Sequence, residues 1–425
     1  MGVIKLLGIV AAVVAAVGCT KTVNECSSDS DCKDVAYPFC DVNGEFGPSG
    51  GAKDVCTIVP SDCPIERCGC SPGATTCDGS TLSVCNMEGK STTDSMCALG
   101  CADSKDHCLT FEPTNGLGAA MKAAAGEPDA MLSGAVTIDT DTGQIKDAAN
   151  VIVPISSLVV SPGDIRVFIA SSFSIADATV TGAKPVAFVS PGPIEIRGVV
   201  DASAKFDVSG PGAVATGTCA GQTDASNVGG GGGNATPGGA GLYVVTSTTT
   251  YPPGGSLQHG FELSGGCRGG GPPGGAGGGA VQLDSLTSIE IGSNALLDVG
   301  GGGARENNGG GGSGGNVILE APTVSVLGGI VANGGSGSAC GVDGTDGQRT
   351  AMPALAPICT HSIGAGNGGT ATDAPGGGSG FGVGAAGGGG GAVGRLRVAT
   401  SDGTMLQGTG ALLSIVPTLD TLVLK

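Results

Sequence analysis

Residues 280–303, AVQLDSLTSIEIGSNALLDVGGGG, and residues 316–335, NVILEAPTVSVLGGIVANGG, carry one cassette twice. Each copy holds three short runs in which Val, Ile and Leu alternate with polar or small residues, and the runs end at Gly, Pro or Asn. Alternation with a period of two is the pattern of a strand with one buried face, and the turn residues bound it. Ile289 and Val324 fall in corresponding places, and a weaker copy follows at 394–416, GRLRVATSDGTMLQGTGALLSIV. Upstream, Ile165-Arg166-Val167-Phe168-Ile169 is echoed by Pro185-Val186-Ala187-Phe188-Val189, which sets Phe168 and Phe188 20 residues apart. Phe173-Ser174-Ile175 is echoed by Ile194-Glu195-Ile196, 21 residues on. One such unit has no partner face, whereas stacked copies pair strand on strand and bury their inward aliphatic side chains in one column. The expected fold is all-β, a parallel β-solenoid over residues 131–425.

Between the cassettes lie Gly-dense inserts at 229–241, 265–280, 299–315, 328–338 and 376–391. Gly supplies 84 of the 425 residues, far above a usual share of about 7%. Collagen is excluded because Gly keeps no strict three-residue period. Two readings of the inserts stand side by side. They are flexible loops projecting from the coils, since Gly loses the most entropy on ordering; or they pack together as extended threefold helices, since Gly backbones approach closely and bond to each other.

There is no Trp and only 3% of residues are aromatic, so the core is aliphatic. Tyr37, Tyr243 and Tyr251 are too few to make sugar-stacking platforms. The net charge of −18 repels nucleic acid and anionic headgroups, which excludes DNA and RNA as expected partners. The strand rhythm resembles right-handed β-helices such as pectate-lyase-like proteins and the passenger regions of bacterial adhesins. That resemblance implies a right-handed coil with Gly-rich inserts.

The N-terminus reads as an address. Met1–Lys5 carries one positive side chain, residues 6–17 are apolar, and Ala16-Val17-Gly18-Cys19 resembles the lipobox of bacterial lipoproteins. The resemblance implies a signal peptide at 1–18 and a lipidated tether at 19–25, with acylation of Cys19. With Thr20 rather than Asp after the Cys, it implies the outer membrane or its outer face, and contact with the membrane through lipid alone. A plain secretory peptide or an uncleaved anchor is the alternative.

Residues 26–108 form a small Cys-rich module. Cys26, Cys32, Cys40, Cys56 and Cys63 make its first half, and Cys68, Cys70, Cys77, Cys85, Cys97, Cys101 and Cys108 its second. Cys219, Cys267, Cys340 and Cys359 lie in or beside the Gly inserts. Both groups are even, as expected of disulfides closed in an oxidising compartment. The module has few apolar runs, so the bridges must hold it together. Residues 68–101 resemble Cys-rich repeats of exported bacterial surface proteins, with a short strand at Thr81-Leu82-Ser83-Val84. With no C-x2-C pair and one His in the region, His107, zinc is not expected. Residues 109–130 read as a linker whose Ala-rich part, 118–126, forms two helical turns.

No motif compels a reaction, and neither catalytic residue, cofactor nor metal is expected. Gly311-Gly312-Ser313-Gly314-Gly315 fits a nucleophile elbow by chance in so Gly-rich a tract, with His259 and His361 as nominal bases. Asp139-Thr140-Asp141-Thr142-Gly143 reads as a tight turn rather than a calcium loop, and Asp343-Gly344-Thr345-Asp346-Gly347 as a second acidic loop. Arg166, Arg197, Asp201, Asp284 and Asp298 fall on or beside strands and would share a face in a polysaccharide lyase; otherwise they solvate the surface. The expected function is a non-enzymatic surface lipoprotein with a structural or adhesive role, contacting a polysaccharide or protein. The alternatives are a surface-displayed polysaccharide lyase or hydrolase, and a secreted matrix protein.

Overall fold

The computed structural model describes Cys32, Phe39–Asp41, Val55–Thr57 and residues 70–425, except 88–90, 98, 247, 261, 360–362 and 382. Residues 1–18, the tether with Cys19, Cys26, Cys63, Cys68 and His361 lie outside the described residues. The chain divides into two units, residues 1–97 with 101–108, and 98–100 with 109–425.

In the first unit Phe39–Asp41 pairs antiparallel with Val55–Thr57. Thr75–Asp78, Thr81–Cys85 and Thr92–Met96 make an antiparallel three-stranded sheet. Its core is sulfur: the buried residues include Cys77, Cys85 and Cys97. Cys70 is bonded to Cys85, Cys77 to Cys101 and Cys97 to Cys108. Cys32 and Cys40 are disulfide-bonded too. Thr92–Met96 is exposed along its whole length, so apolar burial contributes little here and covalent closure substitutes for it.

The second unit is mostly sheet. One sheet runs Ser156–Val160, Ile165–Ile169, Val186–Ser190, Ala280–Ser285, Asn316–Glu320, Arg395–Thr400, Pro417–Thr421, and all its pairings but the first are parallel. A second sheet is built on the long strand Phe173–Thr181. From its first half grow Ile194–Ile196, Ser288–Ile291, Thr323–Val326 and Leu406–Gln407; from its second half Val199–Asp201, Leu296–Asp298, Gly329–Val331 and Leu412–Leu413. The register opposes Phe168 to Phe188, Phe173 to Ile194 and Ile289 to Val324, the offsets read from the cassettes.

Stacking places like on like. Phe168, Phe188, Leu283, Leu319 and Val398 form one buried ladder; Ile175, Ile196, Ile291 and Val326 form another. Each such side chain stabilises the fold by about 1.5–3 kcal/mol relative to exposure. Phe188 adds a stacked contact with Phe168 and an edge contact with Phe173, at centroid distances of 5.7 and 5.4 Å.

Residues 109–130 do not behave as a linker. The helix Gly118–Ala124 buries Ala120, Met121 and Ala124, and together with Leu117 they cover the outer face of the first sheet at Ile165, Val167, Ala187 and Val189. That cover explains why Val186–Ser190 is buried on both faces and why its first four residues, 186–189, read as an unbroken apolar run.

The Gly inserts are packed over most of their described residues, and the exposed stretch around Phe381 and Val383 in 376–391 is the exception. Along 229–233 successive N–H groups turn to different neighbours: Gly229 and Gly232 donate to Asn308 and Gly311, Gly230 and Gly233 to Gln222 and Cys219, and Gly231 to Gly239. The partner repeats every third residue, the signature of a threefold extended helix. Tract 309–315 obeys the same rule. Gly310 and Ser313 donate to Gly270 and Cys267, Gly311 and Gly314 to Gly389 and Ala392, and Gly312 and Gly315 to Gly302 and Val299. It accepts from three further directions, Gly232, Gly335 and Gly275 among the donors, so six strands of chain surround it. A Cβ on Gly312 would lie 1.9 Å from the Ala276 carbonyl oxygen, and one on Gly231 1.8 Å from that of Gly390. Neither residue has a positive φ. Glycine is required there by close approach, not by backbone angle. Each bond contributes about 0.5–1.5 kcal/mol net, and the repeating network offsets the entropy of ordering Gly.

Candidate functional site

The charged strand residues named above do not converge. Asp201 and Asp298 stand opposite each other on neighbouring parallel strands. Asp284 lies in the other sheet, on Ala280–Ser285. Arg166 donates to the carbonyls of Thr140 and Asp141, and Arg197 pairs with Glu195 two residues away. A single face of catalytic charges is therefore not formed. The reason is that strands successive in the chain pair into different sheets, so sequence neighbours diverge.

Two clusters do form, each completed by an arginine that sequence reasoning missed. In the first, Arg349 donates from Nη2 to Asp201 Oδ2 at 2.5 Å and from Nε to Asp298 Oδ2 at 2.7 Å. The remaining oxygens are occupied: Ser203 donates to Asp201 Oδ1 through N–H and hydroxyl, and the Gly300 N–H donates to Asp298 Oδ1. Lys205 Nζ lies 3.9 Å from Asp201, so two anions meet two cations. Burial pushes the Asp201 carboxyl up, but Ser203, Lys205 and Arg349 more than offset this and hold it below the usual range. Asp298 is more deeply buried, and there burial wins, raising its pKa against the Arg349 and Gly300 bonds. A divalent cation here would compete with the Arg349 guanidinium for both Oδ2 atoms and with the Ser203 and Gly300 donors for the Oδ1 atoms.

In the second cluster Asp284 and Glu320 stand opposite each other in register. Gln282 Nε2 donates to both Asp284 oxygens at 3.0 and 3.1 Å. Arg397 bridges Glu320 at 2.5 Å and Asp420 at 2.6 Å, and the Thr114 N–H donates to Glu320. Full burial, then the neighbouring Glu320 charge, push the Asp284 carboxyl well above the usual carboxylate range. Both carboxylates are buried and so are sealed from substrate.

The other motifs are structural in the same way. Ser313 is buried; its hydroxyl donates to the Gly233 carbonyl at 3.1 Å and accepts from the Cys267 N–H at 2.7 Å, and it has no hydrogen bond to His259. Asp139 closes the turn between Ala130–Asp139 and Gln144–Asp147 by accepting from the N–H groups of Asp141 and Thr142. Asp343 accepts from Glu306, and Asp346 from Phe206 and Gly303. His107 is exposed beside Asp106. The sulfurs of Cys77, Cys97 and Cys101 lie together but belong to two disulfides, so a metal could bind them only after reduction.

Two more bridges pin the Gly region, Cys219 to Cys267 and Cys340 to Cys359. The first holds a loop by a side chain: Gln258 Nε2 donates to Cys267 Sγ at 2.8 Å and to the Gly265 carbonyl at 3.1 Å. That loop, 257–260, forms one wall of a cavity of about 560 Å³. Comparison with protein-family models, with curated proteins and with solved structures finds no match to the chain.

Proposed function

We propose that the chain is a non-enzymatic surface lipoprotein of a bacterial envelope, anchored through acylated Cys19 and serving a structural or adhesive role. In this reading residues 131–425 are a right-handed parallel β-solenoid braced by its Gly bundle, and the Cys-rich module is a protease-resistant stalk or small head. The observation that carries the reading is the bundle itself. Along 229–233 and 309–315 its tracts bond to neighbours in several directions, which suits a rigid display body. The strand charges support the same reading, since Asp201, Asp298 and Glu320 are held by Arg349 and Arg397. Paired cysteines suit an oxidising compartment.

The test is metabolic labelling with a fatty acid in a bacterial host, with fractionation. Label on the wild type, lost in Cys19→Ser, together with recovery in the outer-membrane fraction, is the expected result. Unlabelled protein in the medium would favour the secreted matrix alternative. Cytosolic protein that keeps Met1 and alkylates freely at its thiols would overturn both.

A further inference from the structure

The cavity beside the strand Arg395–Thr400 has the size of small-ligand sites, which run from about 300 to 1,000 Å³. Leu257, Val393 and Ile415 give it apolar walls, and Arg395, Asp373 and His259 line it as well. Arg395 is half-buried, and burial holds its guanidinium below its ordinary pKa. Nη1 donates to the Gly260 carbonyl at 2.8 Å and Nη2 to that of Asn234 at 3.2 Å, both neutral acceptors. Among the described residues no carboxylate forms an ion pair with it, although the chain carries a net charge of −18. Arg349 and Arg397, by contrast, each sit on two carboxylates.

Asp373 presents the opposite charge in the same cavity. Thr370 and Thr372 donate from their hydroxyls to its Oδ2 at 2.9 and 3.1 Å, and among the described residues no cation pairs with it. The two charges line one cavity without meeting each other. A guanidinium already stripped of part of its water gains more from an incoming carboxylate than an exposed one does, and its unused N–H groups match a carboxylate in two-pronged fashion. Polyanions are disfavoured by Asp373 and by the net charge.

We propose that this cavity binds an aliphatic amino acid, free or ending a short peptide, as its zwitterion: carboxylate on Arg395, ammonium on Asp373, side chain against Leu257, Val393 and Ile415. The wall is kept in place by the Cys219–Cys267 bridge through Gln258. The inference goes beyond the envelope role and does not depend on the anchor.

Calorimetric titration of the full chain with leucine and with trileucine tests it and separates the two sources. Saturable binding of either is expected, with N-acetyl-leucine and leucinamide, each lacking one charge, weaker by about tenfold or more. Arg395→Gln is expected to weaken binding by a similar factor. Because that variant also removes two loop hydrogen bonds, the exposed Asp373→Asn variant is measured beside it, and its melting temperature should not move. The proposal is overturned if neither zwitterion binds at about 10 mM, if capped forms bind equally well, or if Asp373→Asn binds like the wild type. Binding of galacturonate without binding of either zwitterion also overturns it. None of these results touches the labelling of Cys19, so site and anchor fail separately.

Discussion

The strand columns and the Gly bundle lie in one unit, yet they are held together by opposite devices. In the columns, side chains fill the space: Phe188, Leu283 and Leu319 stack on aligned strands, and backbone bonds run in one plane. In the bundle, side chains are missing and backbone fills the space, with bonds radiating in three donor directions around tract 309–315. A column forgives a smaller residue, because neighbours relax into part of the void. The bundle forgives nothing larger, because the atom in the way is another backbone held on its own bonds.

The sharpest way to break this contrast is Gly312→Ala. Its Cβ would meet the Ala276 carbonyl oxygen at 1.9 Å, so two tracts must separate and shed bonds. Denaturant unfolding should show a loss of more than about 4 kcal/mol, or no folded protein. Gly126→Ala, where the nearest atom lies 4.0 Å away, should stay within about 0.5 kcal/mol. Equal effects at the two sites would show that the bundle is loose. Phe188→Ala breaks the column instead, and should cost about 3–5 kcal/mol while leaving amide exchange in the Gly tracts slow.

Replacing Cys219 and Cys267 together by Ala should cost about 2–4 kcal/mol. The loss should be smaller than that of Gly312→Ala, because tract bonds remain; an equal loss would mean that the bridge, rather than packing, orders the bundle. The gentlest probe is pH. Asp284 binds its proton more tightly folded than unfolded, because burial and Glu320 disfavour its charge. Its contribution is therefore fully present below an ordinary carboxylate pKa of about 4 and is lost as pH rises toward the raised folded value. Asp201, with its lowered pKa, acts the other way and loses stability only on the acid side. Thermal melts of Asp284→Asn should fall less from pH 4 upward than those of the wild type, and parallel curves would remove Asp284 from the account.

Much of the column was legible because its rule is local. Alternation within 280–291 names the inward residues, and the echo of Phe168 by Phe188 names the register. The polar clusters were half legible. Asp201, Asp284 and Asp298 stood out as strand carboxylates, but their distribution between sheets and their arginines did not, since Arg349 reaches Asp201 across 148 residues. Arg395 gave no motif at all. Only the alternation of Arg395-Leu396-Arg397-Val398 hinted that two arginines leave the same side of one strand.

For the inserts, the amino-acid order left both loops and a packed bundle open and leaned toward loops, because Gly is compatible with both and names no partner. The bundle exists through neighbours such as Gly229 and Gly389, brought together by the stacking of the strands between them. Aliphatic periodicity is a property of a few adjacent residues and can be read along the chain. Whether a glycine has room for a methyl group is a property of what lies beside it, and that is settled only when distant segments have met.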